Sequence, residues 1–259
     1  MTMITSTTNQ RVKWVRQLQS HRTARHEEMR FVIEGHRLLL EALQAQVEVS
    51  LVLHPESTDD QTKDLLEAFA NRGADVISAS AEVLKSCSDT ETPQGLIAVA
   101  ALPQISVADA SEPLLIVDRL RDPGNLGTLM RTALASRMQL MLLTPGTVDP
   151  LNPKVVRGAM GAHFHLPIKM VQIDELDAYL REKSFRIAEA HRGLRYDHVD
   201  WIQPCALLIG SEAHGPSPDV LKFEHEHVHI PIRDESESLN AAVAGSILMF
   251  EISRQRGFQ

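Results

Sequence analysis

Apolar residues fall at two spacings along this chain, and the alternation between them outlines its elements. Residues 9–18 show helical spacing, the charged stretch 22–30 interrupts it, and Phe31-Val32-Ile33 is a short apolar run. The pattern then predicts a helix at 35–43, a strand at 47–53, a helix at 58–71, a strand at 74–78, a short helix at 81–86 and a strand at 96–101. Strands separated by helices predict an α/β module over residues 1–104. The stretch LPQISVADASEP is bounded by prolines and otherwise small and polar, which places a linker at 105–113.

Residues 114–259 repeat the pattern as a second domain. Residues 114–118, LLIVD, read as a central strand ending in a carboxylate, followed by a helix at 125–137 and a strand at 139–143. Further elements are predicted at 152–161 (helix), 165–168 (strand), 174–183 (helix), 185–190 and 206–209 (strands), and near 228–232 (strand). The expected result is a mostly parallel, helix-flanked sheet of five or six strands. In the closing stretch IPIRDESESLNAAVAGSILMFE the strand ends at Ile232, and Ser236 and Ser238 are candidate helix caps. Leu239, Val243, Ile247 and Phe250 form one apolar stripe, while Ala241, Ala242, Ala244 and Gly245 keep the rest of that helix flat.

Composition narrows the class. With 43% hydrophobic and 23% charged residues the chain is that of a globular protein, and no apolar run approaches the roughly 18 residues of a membrane span. Cys87 and Cys205 are too few for a disulfide framework, so a cytoplasmic location and no membrane association are expected. The net charge is −8, yet residues 1–40 carry seven basic residues (Arg11, Lys13, Arg16, Arg22, Arg25, Arg30 and Arg37) against Glu27, Glu28 and Glu34. That local surplus makes a basic face including Arg22, Arg25 and Arg30 a candidate nucleic-acid contact, with a solvated charged helix as the alternative.

Three strand-end loops carry unusual polar groups: DRLRDPGNLG (118–127) leading to Arg131, GSEAHG (210–215), and the closing stretch from Ile230. At the carboxyl edge of one parallel sheet such loops converge on one crevice. Neither a G-x-G-x-x-G fingerprint nor a P-loop is present, and Gly210 and Gly215 do not have the spacing of a hydrolase elbow around Ser211. His225, His227 and His229 alternate and would share one strand face, but no further ligand spacing supports a metal, and none is expected.

Together the loops resemble the motifs of the SpoU (TrmH-like) family, S-adenosylmethionine-dependent RNA 2'-O-ribose methyltransferases of the SPOUT superfamily. NLGTLMRTA (125–133) is similar to the first motif, GSEAHG to the second and IPIRDESESLNAAVA (230–244) to the third, in the family's order. RFVIEGHRLLLEAL and DTETPQGLIAVA resemble the ribosomal-protein-like RNA-binding module that precedes the catalytic domain in ribosomal RNA members.

The resemblance implies an α/β fold with a C-terminal parallel-sheet SPOUT domain tied in a deep trefoil knot, a smaller α/β RNA-binding domain before it, and a homodimer with the active site near its interface. It implies S-adenosyl-L-methionine as cofactor, with Gly210, Ile230 and Leu239 in contact with it. Asn125, Arg131, Glu212, Ser238 and Asn240 then fall on the family's catalytic positions. A guanidinium is effectively always protonated, so Arg131 is assigned to gripping a phosphate and stabilising a developing alkoxide, with direct proton abstraction as the alternative. With 4% aromatic residues, base stacking is expected to be secondary to phosphate and shape contacts. Large-subunit ribosomal RNA is the expected substrate; transfer RNA, or a non-catalytic RNA-binding or ribosome-assembly role, are the alternatives. One departure from the family pattern is Asp234, where a glycine is usual.

Overall fold

A computed structural model describes residues 3–90, 92–107, 113–212 and 214–257. Its elements are α1 (Gln10–Ser20), α2 (Arg22–Glu28), β1 (Arg30–Glu34), α3 (His36–Gln44), β2 (Val49–His54), α4 (Asp60–Asn71), β3 (Asp75–Ser78), α5 (Ala81–Cys87) and β4 (Ile97–Ala101). They continue as β5 (Leu114–Val117), α6 (Pro123–Ala135), β6 (Leu140–Leu143), α7 (Pro153–Ala159), β7 (Ile168–Met170), α8 (Leu176–Leu180), β8 (Ser184–Glu189), β9 (Leu194–Arg195), β10 (Cys205–Ile209), β11 (Glu226–His229) and α9 (Ala241–Gln255). Two compact units result: Met1–Gln104 with Asp149–Phe164, and Ile105–Val148 with His165–Gln259. Of the linker expected at 105–113, residues 108–112 lie outside the described ones.

The first unit holds a four-stranded sheet ordered β1-β4-β2-β3, antiparallel at β1–β4 and β4–β2 and parallel at β2–β3. Successive side chains of a strand point to opposite faces, so Phe31, Ile33, Val52 and Ala98 enter one buried cluster and Val32, Leu51, Leu53 and Ile97 the other. Leu151, Val156 and Phe164, from the segment inserted between β6 and β7, complete the first cluster. This insertion also answers a charge. Arg25 was expected to meet RNA, but it is 4% exposed and donates Nε and Nη2 to Asp149 Oδ2 at 2.9 and 2.6 Å and Nη1 to the Leu18 carbonyl at 2.7 Å. Its donors are consumed inside the unit, so it is a structural cation. The stretch expected to interrupt the first helix with charge instead forms α2, whose Arg25 and His26 side chains meet Asp149.

The second unit is a seven-stranded sheet ordered β7-β6-β5-β10-β8-β11-β9, parallel at every pairing. It exceeds the expected five or six strands by including β9, two residues too short to leave a periodic signal. The expected strand near 228–232 stops at His229, so Ile230-Pro231-Ile232 leave the sheet and enter the loop before α9. The strand expected at 165–168 begins only at Ile168, and the helix expected at 174–183 is a 3₁₀ turn, Ile173–Glu175, running into α8.

α9 differs most from its pattern. Its buried positions are Ala241, Ala242, Gly245, Leu248, Met249, Glu251, Ile252 and Ser253, while Val243, Ile247 and Phe250 are 49%, 36% and 49% exposed. The small residues, not the large stripe, face α6 and the sheet. A Cβ on Gly245 would lie 2.5 Å from Leu129 Cδ2 and 3.2 Å from Ile209 Cγ1, so the close approach of α9 to its neighbours depends on that glycine.

Candidate active site

Each of the three loops owes its shape to local chemistry. Asp122 caps α6 by accepting from the Asn125 amide at 2.7 Å, and Pro123 occupies the first turn where no amide hydrogen is needed. The Asn125 side chain is thereby left for other partners. Asn240 caps α9, its Oδ1 accepting from the amides of Ala242 and Val243 at 3.0 and 3.2 Å, so neither Ser236 nor Ser238 is the cap. In the second loop the amides and carbonyls of Ser211 and Gly215 bond each other at 3.2 and 2.9 Å. Ala213, within this loop, is outside the described residues.

The caps and the loop then join. Asn240 Nδ2 donates to Asn125 Oδ1 at 3.0 Å, and Asn125 Nδ2 donates to Glu212 Oε1 at 2.5 Å. A polar chain therefore crosses all three loops, linking residues 115 and 87 positions apart. Because each amide uses both ends, its orientation is set by the network.

Beside this chain a cavity of about 430 Å³ opens where β8, β10 and β11 meet the start of α9, within the roughly 300–1,000 Å³ of small-molecule sites. Gly210, Glu212, Ile230, Ser238, Leu239 and Asn240 line it, with Val228, Ile209 and Leu248 in the apolar wall. Gly210 is there of necessity: a Cβ would sit 2.7 Å from Gly215 C and Pro216 N. The pocket thus offers backbone groups on one side, aliphatic side chains on another and amide and carboxylate groups at its edge, which suits a ligand with a flat ring and polar ends.

Arg131 stands apart from the lining. It is exposed on α6 and has no hydrogen bond or ion pair among the described residues, whereas Asp118 and Asp122, its possible partners, are engaged elsewhere. Six residues at about 100° each put it roughly 120° around the helix from Asn125. Of the remaining basic candidates, Arg22 is exposed, and Arg30 donates to Glu48 at 2.6 Å and to Ser50 Oγ.

His225 Nε2 and His227 Nε2 are 3.3 Å apart, while His229 Nδ1 meets the Gly193 carbonyl at 3.1 Å. Burial, Arg192 and His225 together hold the His227 pKa below its usual value against the pull of Glu189. Among the described residues no group of three potential metal ligands is assembled. Asp234 is exposed, and its backbone is not left-handed, so a glycine is not required there. Glu189, at the end of β8, lines the pocket and was not anticipated, although a carboxylate closing a predicted strand was the available signal.

Known proteins resemble this chain along most of its length. The profile of the SpoU rRNA Methylase family matches residues 112–250, and that of the MRM3-like substrate binding domain matches residues 9–98. The 23S rRNA (guanosine(2553)-2'-O)-methyltransferase RlmP of Bacillus subtilis is 32% identical over 254 residues, covering 97% of this chain and 99% of that protein. The mitochondrial rRNA methyltransferase 3 of Homo sapiens is 29% identical over 308 residues, 95% of this chain and 73% of that one. Among solved structures, the AdoMet-bound rRNA methyltransferase from Sinorhizobium meliloti superposes with a TM-score of 0.87 at 26% identity, over 98% of this chain and 97% of that one. The AviRb methyltransferase from Streptomyces viridochromogenes, in complex with AdoMet, gives 0.84 at 25% identity, over 96% and 98%.

Proposed function

The chain belongs to the SpoU rRNA methylase family, and on that premise we propose that it is an S-adenosyl-L-methionine-dependent methyltransferase acting on a ribose 2'-hydroxyl of RNA, with 23S-type ribosomal RNA as its substrate. The observation that carries this reading is the Asn240–Asn125–Glu212 chain at the edge of the cavity formed by Gly210, Ile230 and Leu239.

The cavity fits the cofactor: its volume suits a nucleoside-sized ligand, its aliphatic wall suits an adenine, and its backbone and amide groups suit polar ends. Gly210, Ile230 and Leu239 would hold the group, which when bound supplies a methyl on a positively charged sulfur. Asn125 and Asn240, locked by their mutual bond, hold the edge of the site in one geometry, so little reorganisation is needed as charge develops. Glu212 accepts from Asn125 and, like Ser238, lines the cavity. Arg131, exposed on α6 and without a partner among the described residues, would grip a phosphate of the RNA and stabilise the alkoxide as the hydroxyl proton passes to a phosphate oxygen or water.

The finer features belong to the same proposal. A second copy of the chain covers the exposed stripe Val243, Ile247 and Phe250, making a homodimer whose interface adjoins α6 and Arg131. The C-terminal segment is tucked through a loop in a deep trefoil knot; membership of the family supports this. RNA contacts in the first unit include the exposed Arg22, and a cytoplasmic location is supported by the two buried, unpaired cysteines.

The test is transfer of labelled methyl groups from S-adenosyl-L-methionine to 23S ribosomal RNA, with ribose methylation mapped in cells with and without the gene. Loss of one 2'-O-methylated nucleotide with the gene is expected, and Arg131→Ala is expected to abolish transfer. A protein that binds the RNA but not the cofactor in a calorimetric titration would instead be an assembly factor on the same scaffold.

A further inference from the structure

The Asp118 side chain is fully buried at the end of β5, yet it carries an acidic group that the chemistry above does not use. Burial of a carboxylate is costly unless its oxygens are answered. Thr144 Oγ1, at the end of β6, donates to Oδ1 at 2.5 Å, and the Ser217 amide donates to Oδ2 at 2.6 Å. Arg119 lends a cation, its Nε 3.8 Å from Oδ2; its left-handed backbone (φ 54°) turns the chain at this point. Arg119 Nε is itself buried without a hydrogen-bond partner among the described residues, so it offsets charge without occupying the carboxylate's acceptor sites.

Asp118 touches both legs of the Gly210 loop. Its amide donates to the Ile209 carbonyl at 2.9 Å, on the leg leading into Gly210, and its carboxylate holds Ser217, on the leg leading out. Between these legs Gly210 is pressed against Gly215 and Pro216, and Gly210, Glu212 and Gly215 all line the cavity. A short charge-assisted bond to a backbone amide is among the stronger restraints available to a loop.

We propose that Asp118 is a positioning residue, a buried clamp that fixes the return leg of the 210–217 loop and thereby the shape of the cofactor pocket. This rests on the assignment of that pocket to S-adenosyl-L-methionine. Removing the charge-assisted bond should loosen the pocket wall without altering the surface that meets RNA.

The experiment compares the full-length parent with Asp118→Asn and, in case that variant folds poorly, Thr144→Val, which keeps the carboxylate and removes one donor. For Asp118→Asn, the cofactor KM and the calorimetric Kd for S-adenosyl-L-methionine are expected to rise about tenfold, the scale of one lost hydrogen bond to a charged group. The KM for RNA is expected to stay within about twofold, because the clamp acts only on the pocket wall. A purely structural defect would shift both KM values and kcat together. Thr144→Val is expected to give a smaller rise in the same direction. Hydrogen exchange supplies a readout independent of the cofactor: the Ser217 amide should lose protection in Asp118→Asn. Unchanged Ser217 protection, or an unchanged cofactor KM in both variants, would overturn the clamp. Failure of the parent to bind S-adenosyl-L-methionine would instead overturn the pocket assignment, with Ser217 protection still deciding the clamp.

Discussion

Asn240 serves the helix it caps and the site it faces, and the two roles separate by measurement. Asn240→Ala removes the cap of α9, a loss of about 1 kcal/mol in urea unfolding, and frees Asn125 from its partner. Methyl transfer is expected to fall to background while the protein stays folded. Arg25 gives the opposite result. Arg25→Ala leaves Asp149 buried at 6% exposure with the His26 ring as its remaining side-chain partner, so the loss is expected to be roughly 3–5 kcal/mol of stability, with RNA affinity at low temperature nearly unchanged. His163 supplies a pH dependence. Its Nε2 meets the Pro150 carbonyl at 2.7 Å, its Nδ1 is buried without a partner among the described residues, and burial pushes its pKa from 6.5 to about 4. The unfolded chain therefore binds the extra proton between those values, and the stability contributed by neutral His163 is present above pH 6.5 and lost as pH falls toward 4. The full span is worth about 3 kcal/mol. Unfolding free energies of His163→Gln should show a shallower decline over that window.

At the scale of elements, α9 shows how far periodicity reaches. The spacing of Leu239, Val243, Ile247 and Phe250 does describe one helical face, but 3.6-residue periodicity marks a face without saying what covers it. Here the small face packs inward, since Ala242 and Gly245 let α9 approach Leu129 and Ile209 more closely than a larger side chain would permit. The large face is left outward. Ile247→Glu with Phe250→Glu is expected to convert the proposed homodimer to a monomer in light scattering, because two charges placed on an apolar interface core would be desolvated. An unchanged mass would mean the stripe is not the interface. The strands were more legible. LLIV at 114–117 and CALLI at 205–209 are buried at every position, as central parallel strands require, whereas β9 is too short to register.

For the whole molecule, the segment Asp149–Phe164 shows that sequence order and spatial grouping diverge. It follows β6 in the chain but packs in the first unit, supplying Leu151, Val156 and Phe164 to the core and Asp149 to Arg25. A fragment of residues 1–104 would expose that core face and leave Arg25 buried without its anion. Its urea midpoint is expected well below that of the first transition of the full chain, and equal midpoints would show that the insertion contributes little. The sequence alone determined the order of the longer strands and helices, the three polar loops and their resemblance to one enzyme family, because turn chemistry, capping and short motifs are local. Tertiary structure alone decided the rest. The bond from Asn240 to Asn125 spans 115 positions and that from Arg25 to Asp149 spans 124, and contacts between residues so far apart leave no trace in local periodicity. One side chain became a member of the site and the other a core cation according to what the fold laid beside it.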